Sequence, residues 1–153
     1  MRSALLTLTL LASSFSVFSA EYISKSFQYS DSGRDGMTQN YYSCDSASDT
    51  LRDHLETLGA IDISVRCSGG IDYGRYMPVN LTSSFKVTAY TDPSTAKIDH
   101  VTIKSRMGDA PCFFNTKLLK EVVKHFPNVY VDSKKASCFD NRTSWNYVLR
   151  IAR

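Results

Sequence analysis

Residues 44–67 read CDSASDTLRDHLETLGAIDISVRC. Leu51, Leu55 and Leu58 recur at helical spacing and set an apolar stripe on one face of a helix. After Gly59 the period changes. Ile61, Ile63, Val65 and Cys67 alternate with Asp62, Ser64 and Arg66, the pattern of a half-buried strand. Gly59 marks the switch, because a glycine just past a helix adopts the left-handed conformation that closes it. Asp45, Ser46 and Ser48 are candidate N-caps, and Asp49 and Asp53 suit the positive end of the helix dipole.

Residues 112–138, CFFNTKLLKEVVKHFPNVYVDSKKASC, follow the same plan. Leu119, Val123 and Phe126 stand as far from Cys112 as Leu51, Leu55 and Leu58 stand from Cys44. Val129 and Val131 match Ile61 and Ile63, and Pro127 takes the place of Gly59 as the helix breaker. Asn115 reads as the cap of this second helix. Apolar matches alone are common among strand–helix–strand units, but the paired cysteines favour duplication. The expected pseudo-repeats cover about 38–91 and 97–152.

Around these segments the remaining elements fall into place. Thr38–Cys44, rich in Thr and Tyr, reads as the first strand of the first unit. Residues 21–29 add an edge strand or an arm. Ser68–Asn80, with three glycines, reads as a long loop, and residues 83–105 as a hairpin turning at Asp92-Pro93-Ser94. Ser133–Thr143 reads as a polar loop, and Trp145, Tyr147, Leu149 and Ile151 alternate through a final strand. The expectation is an α+β fold. Two βαββ-like halves form a mostly antiparallel sheet with both helices on one face, ferredoxin-like in outline.

The first twenty residues carry one basic residue, Arg2, an apolar run from Ala4 to Ala12, and a small-residue exit at Ser19-Ala20. This describes a secretory signal peptide over residues 1–20, and the run is too short to span a bilayer of about 30 Å. The residues 21–153 that follow suit one domain and contain no other span. An exported chain with four cysteines favours two disulfides. Three pairings are possible. The repeat favours Cys44–Cys67 with Cys112–Cys138, and a cross-copy arrangement also respects the symmetry. The compartment is then the periplasm or the cell exterior. Asn80-Leu81-Thr82 and Asn141-Arg142-Thr143 match the glycosylation triplet, which matters only in a eukaryotic host.

The formal net charge is +3, and Arg2 leaves with the leader. So small and dispersed a charge gives no strong nucleic-acid signal. The cysteines lack the spacing of a zinc clip and the histidines form no HxH or HxxxH pair, so no metal is expected, and no cofactor motif is present. There is no GxSxG, and no thiolate remains once the cysteines pair, so no catalytic residue is assigned. Asp53, Glu56 and Glu121 read as solvated helix charges. The candidate ligand-binding residues are Tyr73, Arg75 and Tyr76, in the glycine-rich stretch with Ile71 and Met77, because aromatics beside arginine mark interaction surfaces. The leading reading is a non-enzymatic binding module whose partner is a protein or an envelope component. The alternatives are a secreted phosphodiester hydrolase using His100 with Lys104 or with His54 or His125, and a structural subunit of a cell-envelope assembly.

Overall fold

A computed structural model of the chain describes residues 21–35, 38–39, 42–72, 74–89, 97–104, 112–138 and 144–152. The elements in order are β1 (Glu21–Asp31), β2 (Arg34–Asp35), β3 (Thr38–Gln39), α1 (Cys44–Thr57), β4 (Ile61–Asp72), β5 (Arg75–Ala89), β6 (Ile98–Lys104), α2 (Cys112–Val123), β7 (Val129–Ser137) and β8 (Ser144–Ala152). The proposed signal peptide lies outside the described residues.

Helix α1 begins at Ser43, whose side chain accepts from the Ser46 amide at 3.2 Å. Asp45, Ser46 and Ser48 are therefore not the cap, although Asp45 sits in the first turn, where the dipole favours it. Gly59 at φ 87° closes the helix. Its amide reaches Glu56 O and the Ala60 amide reaches Leu55 O, both at 2.9 Å, so two terminal carbonyls are satisfied. Helix α2 starts at Cys112, which places Asn115 inside the helix and almost wholly buried rather than at the cap. Its end tightens: the amides of Lys124, His125 and Phe126 each bond three residues back, just ahead of Pro127.

The fold is α+β with antiparallel pairing and two disulfides, Cys44–Cys67 and Cys112–Cys138. The long strands divide into two three-stranded sheets, ordered β1-β5-β4 and β6-β8-β7, where one shared sheet was expected. The expected residue 83–105 hairpin also fails. β6 pairs with β8, register Ile98↔Ala152 to Lys104↔Asn146, and not with β5. Burial gives the reason. β5 buries Val79, Leu81, Phe85 and Val87, and β8 buries Trp145, Tyr147, Leu149 and Ile151. Each of these strongly alternating strands takes a central place with neighbours on both sides, where its backbone groups are paired as well as its inner face covered. β1 fills the edge beside β5. Of the expected strand at Thr38–Cys44, Thr38–Gln39 is strand, paired with Arg34–Asp35, residues 40–41 lie outside the described residues, and Cys44 already opens α1. The expected polar loop at Ser133–Thr143 is partly strand, since β7 runs to Ser137.

Both helices lie against the buried faces of the sheets, and one core cluster draws side chains from both sheets and both helices. The packing crosses between the halves. Phe126, after α2, stacks on Phe85 of β5 at 5.6 Å, Tyr29 of β1 meets Phe114 of α2 at 5.9 Å, and His54 of α1 meets Trp145 of β8 at 6.1 Å. Asn128 donates to the Thr88 carbonyl at 3.1 Å and adds a polar tie between the halves. On its open face β5 is polar, with Asn80, Thr82, Ser84 and Lys86 exposed.

Candidate functional site

The stretch singled out for binding is a β-hairpin. β4 continues through Asp72 and β5 restarts at Arg75, with pairs Gly70↔Met77, Ile71↔Tyr76 and Asp72↔Arg75. Three glycines suggest a loose loop, but Gly69 and Gly70 serve close backbone approaches. A Cβ on Gly69, at φ 91°, would stand 1.9 Å from the Pro78 carbonyl oxygen. One on Gly70 would stand 2.9 Å from the Cys44 amide nitrogen. The Ile71 amide donates to Tyr42 O at 3.3 Å, so the hairpin is fastened to the segment entering α1. The Cys44–Cys67 disulfide fastens the same base.

Of the three candidate binding residues, Tyr73 lies outside the described residues. Arg75 is exposed and Tyr76 is half-buried. Tyr76 lies close enough to Tyr42 to raise its phenol pKa, a shift due first to burial and then to the Asp31 charge. Tyr42 in turn packs on Phe114 at 4.3 Å. The exposed large apolar side chains of the hairpin are Ile71, 46 % exposed, and Met77, 50 % exposed.

The three histidines sit in three settings. His100, on the open face of β6, has Nδ1 3.4 Å from Asp132, which also takes Arg150 Nε at 3.3 Å. His125, after α2, presents an edge to Phe27 at 5.3 Å. His54 is 4 % exposed on the inner face of α1. Glu121 is paired with Lys124. Among the described residues no group of three His, Cys, Asp or Glu side chains is placed to hold a metal ion. No helix among them is long and apolar enough to cross a membrane.

A second feature escapes the sequence patterns. A cleft of about 220 Å³ opens where α1 meets β6, α2 and β8. Asp53, His54 and Glu56 line it from α1, Lys104 from β6, Asn115 from α2 and Trp145 from β8. His54 Nε2 is buried there with no hydrogen-bond partner. Burial pushes the His54 pKa down to about 4, opposed by hydrogen bonds to the Asn115 backbone and side chain. The imidazole is therefore neutral at pH 7. A signal did exist in the sequence: His54 falls on the apolar stripe, three residues after Leu51 and four before Leu58. Asn115 falls likewise between Cys112 and Leu119. A polar residue on an apolar stripe must find a partner once buried.

No protein-family model, no curated protein and no solved structure matches the chain.

Proposed function

We propose that this chain is an exported binding module that presents the β4–β5 hairpin to a protein partner in an oxidising compartment. The observation that carries this is that Ile71 and Met77 are about half exposed on the two opposite faces of a hairpin whose base is tied down by a disulfide and by the Ile71–Tyr42 hydrogen bond. Apolar side chains on a held backbone lose little conformational freedom on docking, which favours affinity. Arg75, exposed two residues before Met77 on the same face of β5, adds a charge and a planar donor group. Two disulfides are consistent with an extracellular or other oxidising setting, and the leader-like residues 1–20 support export. The matched strand order of the two sheets supports an origin by duplication of one βαββ unit.

Site-specific photo-crosslinking in the native host tests the reading. A photoreactive residue at position 71 or 77 is expected to give the same discrete adduct, whereas one at Tyr22 or Tyr130, which are as exposed, gives none. Adducts of equal yield at all four positions would reject the hairpin as the binding surface.

A further inference from the structure

The two three-stranded sheets have matching strand orders, so their open faces can be set side by side, and their charges differ. Residues 97–152 carry ten Lys and Arg against five Asp and Glu, and residues 21–91 carry six against nine. The sequence spreads this charge thinly, and strand pairing gathers part of it on the open face of the second sheet. The buried residues of β8 alternate with Asn146, Val148 and Arg150, which therefore face away from the core. The register sets His100 and Tyr130 on either side of Arg150, and Lys104 and Lys135 on either side of Asn146. Strands stand about 4.8 Å apart and alternate residues about 7 Å apart, so the two rows lie about 13 Å from each other on a face about 10 Å wide. Among the described residues of that face, Lys104, Lys135 and Arg150 meet one carboxylate, Asp132. On the first sheet the open face of β5 carries Lys86 alone, and Asp62 balances it at 2.8 Å.

One end of this face is held in place. Asp132 reaches across β8 and takes Arg150 Nε at 3.3 Å and His100 Nδ1 at 3.4 Å. The Arg150 guanidinium lies 5.7 Å from the centre of the Tyr130 ring. A guanidinium has five N–H donors, so the bond through Nε fixes its direction and leaves its terminal amino groups for an anion. Tyr130 is 55 % exposed and offers a flat ring beside that charge. We infer that the open face of the second sheet binds single-stranded nucleic acid, a base stacking on Tyr130 and successive phosphates meeting Arg150, Lys104 and Lys135. Charges spread over about 13 Å fit a chain of regularly spaced anions, and an exposed aromatic among them fits a chain that also carries flat rings. This surface is separate from the β4–β5 hairpin.

Fluorescence anisotropy of end-labelled oligo-dT with the exported chain, at pH 7 over a series of salt concentrations, tests this. Saturable binding is expected, weakening as salt rises. Lys104→Ala and Lys135→Ala are each expected to flatten the salt slope by about 0.7, the value for one phosphate of a single strand. Tyr130→Ala is expected to weaken binding about tenfold and to leave the slope unchanged. An abasic strand of the same length is expected to bind about tenfold more weakly than oligo-dT and to ignore Tyr130→Ala. Lys86→Ala, on the open face of the first sheet, is expected to bind as wild type does. These side chains are exposed, so each variant is expected to keep the wild-type circular dichroism and Tm. No saturable binding, or equal losses in Lys86→Ala and Lys135→Ala, would overturn the inference. An abasic strand bound as tightly as oligo-dT would also overturn it, since the face would then take any polyanion, an acidic polysaccharide included.

Discussion

His54 is a histidine held neutral inside a protein core, and this makes it a source of acid sensitivity. Its folded pKa, about 4, lies below the ordinary value of 6.5. Between these values the unfolded chain binds the proton and the folded chain does not, so stability falls as pH drops from 6.5 to 4 and this contribution levels off below. The shift corresponds to about 3 kcal/mol. Urea denaturation at a series of pH values is expected to show wild type losing about that much more than His54→Met between pH 7 and pH 4. Equal losses would mean that the ring is already charged or solvated in the folded state. Gly69 is the other residue whose environment is decisive. Gly69→Ala adds a Cβ that meets the Pro78 carbonyl at φ 91°, so the backbone must move. Gly74→Ala, at φ 76° with open space around it, carries only the cost of the left-handed conformation, about 1–2 kcal/mol. Thermal melts should rank Gly69→Ala well below Gly74→Ala.

At the scale of elements, each disulfide joins the first residue of a helix to the strand that follows, or to the residue just beyond that strand. The closed loops span 23 and 26 residues, so removing either bridge is expected to cost about 3 kcal/mol in the chain-entropy account. Denaturant melts of Cys44→Ser, Cys67→Ser and of Cys112→Ser, Cys138→Ser check this. Losses below 1 kcal/mol would show that the unfolded chain is already compact around those loops. The first bridge also anchors the hairpin. Hydrogen exchange in the 68–80 backbone is therefore expected to quicken in the Cys44, Cys67 variant and to stay unchanged in the Cys112, Cys138 variant.

At the scale of the whole molecule, the two halves share their core. Phe126 of one half rests on Phe85 of the other, and Trp145 of the second sheet rests on His54 of α1. A fragment of residues 97–153 would expose Phe114, Phe126 and Trp145 together, a loss that its own disulfide does not offset. The fragment is expected to lack the cooperative melt and the buried-tryptophan fluorescence of the full chain. A folded fragment would show that the halves are independent and merely docked. Within the intact chain, Phe85→Ala is expected to cost about 3–5 kcal/mol and to loosen both sheets in hydrogen exchange.

Both helix segments, and a preference for one cysteine pairing over the cross-copy one, were legible from residue order, because these depend on contacts within one unit, and the structure decides the pairing as Cys44–Cys67 and Cys112–Cys138. The 3.6 period of Leu51, Leu55 and Leu58, the glycine at 59 and the matched cysteine offsets are local and survive without knowledge of the rest. Strand partnership was not local. Ile98–Lys104 alternates equally well beside β5 or beside β8, and the choice rests on which neighbour completes the pairing of a strand already buried on one face. Gly69 and Gly70 read as slack until Pro78 and Cys44 are brought against them. The cleft depended most on tertiary structure, because its walls come from residues 50–57, 102–104, 115 and 145, and only folding brings the buried nitrogen of His54 beside them.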